Sequence, residues 1–228
     1  MLSFFAQKKY IFHIFYNTPN KKGYENMKKY NNCIIDPMVQ IGNNVIIKDN
    51  NVITGNTIIA DNAIIGFGNY INNSIVGENC SIEYSYITES KIGASSKIGP
   101  YSRLRPNTTI GNNCKIGNFV EIKNAKIGNN VKASHLSYIG DAEIGDNCNI
   151  GCGAIFVNYN GKKKHKTIVE NNCFIGSNVN IIAPVTIKEG TYICAGTTIT
   201  CNTEPNDFVI GRAKETIKQN KAIQYLKK

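Results

Sequence analysis

The stretch IIDPMVQIGNNVIIKDNNVITGNTIIADNAIIGFGNYI, residues 34–71, places isoleucine at 35, 41, 47, 53, 59, 65 and 71. The spacing of six returns at Ile92, Ile98, Leu104, Ile110, Ile116 and Ile122, and again at Val169, Ile175, Ile181, Ile187, Ile193 and Ile199. Between these runs the phase slips by one residue at Ile127 and Ile144, and the pattern continues through Ala133, Ile139, Ile150 and Phe156. A fixed internal period outranks local propensity, because it marks a chain wound on itself. An amphipathic helix needs spacings of three and four, and an antiparallel sandwich needs alternation at two; neither describes these runs. Eleven of the twenty glycines directly follow one of the periodic residues, and small residues recur at Ala63, Cys80, Ser96, Cys114, Cys148 and Cys173. Each unit of six therefore predicts one short strand and a corner: the branched side chain fills the interior, and glycine or asparagine takes backbone geometry that β-branched residues avoid. Three units close a triangular coil of 18 residues. Stacked coils pair in parallel, so residues 34–203 predict an all-β parallel β-helix of about nine coils, roughly 4.8 Å apart.

Outside the repeat, residues 1–33 form a basic, aromatic N-terminal extension, and residues 204–228 a polar C-terminal tail that a helix would suit, with Lys214, Lys218, Lys221, Lys227 and Lys228. Three units from Ile150 to Ile175 should take 18 residues and take 25, so a seven-residue excursion leaves the prism around Asn158 to Lys166. It carries Lys162, Lys163, Lys164, His165 and Lys166, and both a solvated loop and a phosphate clamp fit that composition. The chain of 228 residues is 42% apolar and 18% charged, which excludes disorder and a coiled coil. Its densest apolar stretch, Tyr10–Tyr16, is broken by His13, is far shorter than a membrane span and lacks a following signal-cleavage site, so the expected location is cytoplasmic with no membrane span. Eight cysteines between Cys33 and Cys201, without a CxxC pair or zinc-type Cys/His spacing, read as free thiols. The net charge of +10 attracts nucleic acid, anionic membrane or phosphorylated small molecules alike.

Coil arithmetic then turns spacing into columns. Arg105 and Lys123 are 18 apart at the same position of the unit, so two cations stack on one corner; an anion between them, such as a phosphate monoester, would relieve their repulsion, while two solvated cations pointing apart is the plain alternative. Glu121 and Tyr138 stack beside them, 17 apart across a slip. A different corner carries His135, Cys152, Ser177 and Ala195, and His135 is the only histidine in the regular prism. One chain cannot readily bring both corners around one small substrate. Identical prisms packed in parallel about a threefold axis could, which predicts a homotrimer with sites in the clefts.

The strings GPYSRLRP (99–106), GNFVEIKNAKIG (117–128), KASHLSYIGDAEIGDNCNIG (132–151), NYNGKKKHKT (158–167), FIGSNV (174–179), IAPVTI (182–187) and AGTTIT (195–200) go further than the period. In that order they resemble the acetyltransferase domain of the bacterial bifunctional N-acetylglucosamine-1-phosphate uridyltransferase / glucosamine-1-phosphate N-acetyltransferase family. The resemblance implies a left-handed coil and transfer of acetyl from acetyl-CoA to the amine of glucosamine 1-phosphate, on the route to UDP-N-acetylglucosamine and so to peptidoglycan and lipopolysaccharide. It implies that His135 accepts the proton, that Arg105 and Lys123 hold the sugar phosphate, that Tyr138 and Asn149 contact the sugar, and that Lys164 lies near the ligands. It also lays acetyl-CoA along Cys152, Asn158, Tyr159, Ser177, Ala195 and Arg212, with no metal required. Position 152 is cysteine where the family usually has alanine. The family's nucleotidyltransferase domain has no counterpart in the 33 residues before the repeat, so uridylyl transfer is expected from a separate chain. Hexapeptide acyltransferases of other specificity share the bare repeat but not these strings. A zinc carbonic anhydrase would need three converging histidines. A non-catalytic scaffold, or a nucleic-acid binder drawn by the charge, is opposed by the joint presence of Arg105, Lys123, His135, Tyr138, Asn149, Ser177 and Arg212.

Overall fold

A computed structural model describes residues 32–226; His13, the stretch Tyr10–Tyr16, nearly all of the predicted extension, Lys227 and Lys228 lie outside the described residues. The chain winds as a left-handed, three-sided prism of parallel strands, each two or three residues long except where Lys115–Lys123 and Lys132–Gly140 run continuously around a corner. Those two long strands join the first and third faces into one 18-stranded sheet, and the second face is a separate nine-stranded sheet whose rungs match the nine predicted coils. On the first face the register runs Ile34, Val52, Tyr70, Tyr86, Arg103, Glu121, Tyr138, Ile155, Asn180, Thr198. The third face carries Ile46, Ile64, Ser81, Lys97, Lys115, Lys132, Asn149, Phe174, Tyr192, Phe208.

The periodic residues point inward. Ile53, Ile65, Ile71, Leu104, Ile116 and Ile122 have no exposed surface, and each is worth roughly 1.5–3 kcal/mol of apolar burial. Glycine follows them because the next coil comes too close for a side chain: a Cβ on Gly117 would run into the Ser134 carbonyl. The corner between the second and third faces needs left-handed backbone, supplied by Asn44, Asn62, Asn113, Asn130, Asn147 and Asn172 at φ between 54° and 60°. Asparagine tolerates that region, and here its amide also bonds along the ladder, Asn130 Nδ2 to Asn147 Oδ1 at 3.1 Å and Asn147 Nδ2 to Asn172 Oδ1 at 3.2 Å. Just inside this corner sit the small residues of the repeat. The Cys80 and Cys114 thiols donate to the Gly93 and Gly128 carbonyls at 3.0 Å, burial pushes both thiols up, and the seven cysteines from Cys80 to Cys201 form no disulfide.

Three features depart from the simple period. Val76, Ile82 and Ile87 fill the interior at spacings of five and six, so that Tyr70 pairs with Tyr86 only 16 residues on. The interior is not wholly apolar: Asn51 and Asn69 are buried and bonded to each other at 3.0 Å and to the Gly66 carbonyl. The parallel pairing also continues past residue 203, with Phe208–Val209 against Tyr192–Ile193, and beyond it only the turn Lys221–Gln224 is helical, in a 3₁₀ form with no buried residue.

Two substitutions separate filling from corner geometry. Ile122→Ala should cost about 2–5 kcal/mol in urea unfolding. Asn130→Ala should cost about 1 kcal/mol and Asn130→Gly much less, because only glycine matches asparagine in the left-handed region; equal losses in the two would contradict the corner argument.

Candidate active site

Register puts the predicted cations on neighbouring coils of the first face, close to its corner with the second. Arg105 and Lys123 each follow a paired residue, Leu104 and Ile122, and the Arg105 N–H donates to the Ile122 carbonyl at 2.9 Å. The two cations are not bare. Arg105 Nη1 lies 2.9 Å from Glu121 Oε1, and Lys123 Nζ lies 3.5 Å from Asp141 Oδ2. The requirement for an external anion to relieve their repulsion is therefore weaker than spacing suggested, since each cation has its own carboxylate.

Asp141 is the centre of this corner and was not singled out from the sequence. Its side chain is 11% exposed and accepts from Asn124 Nδ2 at 2.6 Å, from Asn158 Nδ2 in a short bond, and from Lys123. Burial by itself would raise its carboxyl, but the two amides and the lysine outweigh burial and hold it below the usual aspartate value. Asn158 Nδ2 also reaches the Tyr138 hydroxyl at 3.5 Å, so Asn158, expected on the acetyl-CoA side, lies in this chain with Tyr138 and Asp141. The seven-residue excursion leaves at this same corner, between Ile155–Val157 and Thr167–Val169. It folds back through a bridge of Tyr159 with Lys164 and brings the Lys164 amine within hydrogen-bonding reach of Lys123. That contact, reinforced by Asp141, lifts Lys123 above the usual lysine value, while the same contact and the charges of Lys123 and Arg105 lower Lys164. Tyr159 is exposed and its hydroxyl donates to the Gly161 carbonyl at 2.7 Å.

The second group gathers on the third face and its corner with the first. His135 ends the third-face part of its strand, in register with Asn118, and its Nδ1 lies 3.3 Å from Asn118 Oδ1. Asn118 is thus the side chain that faces the imidazole, and Glu121 is engaged by Arg105. A carbonyl oxygen opposite Nδ1 places the ring proton there and leaves Nε2 as an acceptor. Cys152 and Ser177 lie above His135 on this corner, their carbonyls accepting from Asn178 and Gly196 at 2.8 Å. Arg212 Nη1 bonds the Ala195 carbonyl at 3.0 Å, which fastens the start of the tail to the same column. Asn149, expected with Tyr138 to contact the sugar, lies on the third face, one coil above Lys132.

The predicted residues therefore form two groups on adjoining faces: Arg105, Lys123, Tyr138, Asn158 and Lys164 on one, His135, Asn149, Cys152, Ser177, Ala195 and Arg212 on the other. A prism is convex, and its depressions are shallow. One of 420 Å³ on the second face, lined by Lys126, Glu143, Asp146 and Ile168, is remote from both groups, and one of 400 Å³ on the third face is lined by Asn130, Lys132, Asn147 and Asn149. The first has no chemistry that the predicted residues share, so we assign it no role.

The fold is the parallel β-helix of hexapeptide repeats. Residues 89–124 and 166–201 match the family model for the bacterial transferase hexapeptide, and solved acyltransferases share the architecture: UDP-N-acetylglucosamine acyltransferase of Francisella novicida superposes with a TM-score of 0.52 at 17% identity over 74% of this chain and 61% of that one, and the Arabidopsis enzyme with 0.50 at 18% over 76% and 68%. The particular relative is the bifunctional protein GlmU: the repeat region is homologous to it, 50% identical over 185 residues to that of Caldicellulosiruptor saccharolyticus and 49% over 189 residues to that of Clostridioides difficile. These alignments take in 81% and 83% of this chain but 40% and 41% of the relatives, so the chain spans about two fifths of their length.

The lowered Asp141 carboxyl has a direct consequence for stability. Its contribution is fully present above the unfolded aspartate value of about 3.9 and is lost as pH falls through the lower, folded value. Asp141→Asn should lower the melting temperature by an amount that stays level above about pH 5 and shrinks below about pH 4; a difference undiminished at pH 3 would show that charge is not what Asp141 contributes.

Proposed function

We propose that this chain is a cytoplasmic N-acetyltransferase that moves acetyl from acetyl-CoA to the amine of glucosamine 1-phosphate, releasing N-acetylglucosamine 1-phosphate and CoA. The observation that carries the reading is the cluster of Arg105, Lys123 and Lys164 one corner away from a histidine whose Nδ1 is held by Asn118. Three cations against Glu121 and Asp141 leave one net positive charge for a phosphate, and Tyr138 sits beside them to meet the sugar. Homology to GlmU over four fifths of the chain supports the same substrates.

The chemistry follows from the residues. An amine attacks a thioester only through its lone pair, so as nitrogen bonds to the carbonyl carbon a proton must leave nitrogen. We assign that proton to His135 Nε2, whose lone pair is left free when the ring proton sits on Nδ1 opposite Asn118. The C–S bond then breaks, and the departing thiolate is protonated. Acetyl-CoA supplies the activated carbonyl. The corner above His135 suits a long, thin donor at its upper end: it is formed by Gly153, Asn178 and Gly196, with the Asn178 side chain beside Gly153 and nothing within 4 Å of a Cβ placed on Gly196. Since the two groups of residues stand on different faces, the reading requires copies of the chain to share each site, as in a threefold assembly.

Purified protein should release free thiol from acetyl-CoA when glucosamine 1-phosphate is present. His135→Ala should lower turnover by about 10²- to 10⁴-fold. Lys123→Ala should raise KM for the phosphorylated acceptor more than tenfold while changing kcat little, since a phosphate contact away from the reacting nitrogen serves binding. No thiol release with this acceptor, or equal use of glucosamine with and without its phosphate, would sink the reading.

A further inference from the structure

The third face carries a column of unpaired cations. Lys97, Lys115 and Lys132 stand in register on three consecutive coils, 18 and 17 residues apart, so their side chains leave the prism about 4.8 Å from one another. All three are exposed. Elsewhere the structure supplies carboxylates: Lys123 takes Asp141, Lys126 and Lys166 share Glu143, and Lys188 takes Glu170. Among the described residues none of the three third-face lysines makes an ion pair. Glu83, on the coil below Lys97, turns the other way and accepts from the Phe67 N–H at 3.1 Å. Three like charges in one column repel, and the relief that Glu121 and Asp141 give Arg105 and Lys123 is missing here. The column also leads into a hollow. Lys132 lines the 400 Å³ depression with Asn113, Asn130, Asn147 and Asn149. Asn130 and Asn147 each give an N–H to the amide ladder, whereas the Asn113 and Asn149 amides bond to no described residue. Beside Lys97 and Lys115 the surface is bare backbone, because a Cβ on Gly99 or Gly117 would run into the Glu83 or Ser134 carbonyl.

We infer that this strip binds a short phosphoanhydride chain, laid along the prism over Lys97, Lys115 and Lys132 with the amides of the hollow at its end. The length of the column selects the occupant. Three cations span about 10 Å, and the register continues without charge, through Asn149 and Phe174 above and Ser81 and Ile64 below. A nucleic acid or another long polyanion needs neutralising charges that run on with it. Two or three linked phosphates do not. Lysine suits such a chain, since a compact ammonium meets any oxygen of a flexible anion, whereas the planar fork of arginine selects one phosphate. The free amides of Asn113 and Asn149 offer N–H donors to a terminal phosphate or to the hydroxyls of a nucleotide. This strip is separate from the Arg105 and Lys123 corner, which lies on the first face. It is close to the histidine, because Lys132 and His135 belong to one strand, Lys132–Gly140. A chain held here crowds the approach to His135 and Asn149. That crowding rests on the acetyltransferase reading; the binding itself does not.

Titration calorimetry of the full chain with inorganic tripolyphosphate, in dilute buffer without magnesium, tests the site without relying on activity. The parent should bind, and the double variant Lys97→Gln with Lys115→Gln should bind more than about tenfold more weakly. Both side chains are exposed and unpaired, so the variant keeps the parental circular dichroism and melting temperature. Lys91→Gln, an exposed lysine of the second face, should bind as the parent does. ATP in place of tripolyphosphate separates two sources of the chain. Equal affinity assigns the phosphates alone and tighter binding assigns a nucleotide, and either is lost in the double variant. Three results overturn the site: no binding of either probe, parental affinity in the double variant, which would put the anion on the first-face cations, and an equal loss in Lys91→Gln, which would make it attraction by net charge. In the transfer assay tripolyphosphate should raise the KM for glucosamine 1-phosphate severalfold in the parent and much less in the double variant. Inhibition unchanged in that variant would refute the crowding of His135. A chain that binds tripolyphosphate through these lysines yet never transfers acetyl would leave the strip standing and remove the enzymatic reading.

Discussion

Every coil of this protein must turn three corners, and nearly all of these turns place a residue in left-handed backbone conformation, the turns at Asp36–Val39 and Ala183–Pro184 being exceptions. That single constraint orders the rest. It fixes the hexad, since a strand and a corner use six residues, and it sets the interior, because the corners aim one branched side chain per unit at the axis of the prism. The three corners meet it in chemically different ways. Asparagine with a ladder of amide bonds holds the corner between second and third faces, where Asn130, Asn147 and Asn172 bond in series. The corner between first and second faces uses Asn107, Asn124 and Asp141, and there the ladder becomes a charged site. The third corner uses Asn50 and Gly68, then Tyr84, Tyr101, Phe119 and Leu136, then Gly153, Asn178 and Gly196.

The charged corner illustrates how a structural position acquires chemistry. Asn124, Asp141 and Asn158 occupy one column at intervals of 17, and the only change from the structural ladder is one carboxylate in place of an amide. Buried and fully bonded, that carboxylate anchors Lys123, which in turn interacts with Lys164 from the loop that emerges at the same corner. The excursion is placed where it can deliver its charge. The Arg105–Glu121 pair, about a third exposed, contributes little to stability by itself, unlike the largely buried Lys123–Asp141 pair. Both act on geometry, because Glu121 and Asp141 hold the Arg105 and Lys123 side chains on the first face instead of letting them spread into solvent.

A convex solenoid also explains why the residues that matter lie on its surface without a pocket. Parallel pairing fills the interior with isoleucine, so the candidate site residues stand on the outer surface. His135 and the cations lie on adjoining faces of the prism.

The sequence by itself determined the prism. Isoleucines six apart, glycines after them and an excess of seven residues between Ile150 and Ile175 gave strands, corners, coil number and the exit point of the loop, because a period of six has only one compact solution and loop length shifts it by simple addition. Same-column relations such as Arg105 with Lys123 and His135 with Asn118 follow from that arithmetic, although Asn118 was overlooked because an asparagine near a corner looks like part of the scaffold. The arithmetic was silent on the 16-residue coil between Tyr70 and Tyr86, where consecutive shortened units blur the phase. Only the tertiary structure decided which neighbours share a charge: that Arg105 takes Glu121, that Asp141 gathers Lys123, Asn124 and Asn158, and that Asn149 stands on the histidine's face. Column positions specify heights along the axis, but side-chain direction, burial and the choice of hydrogen-bond partner depend on how three faces meet in space.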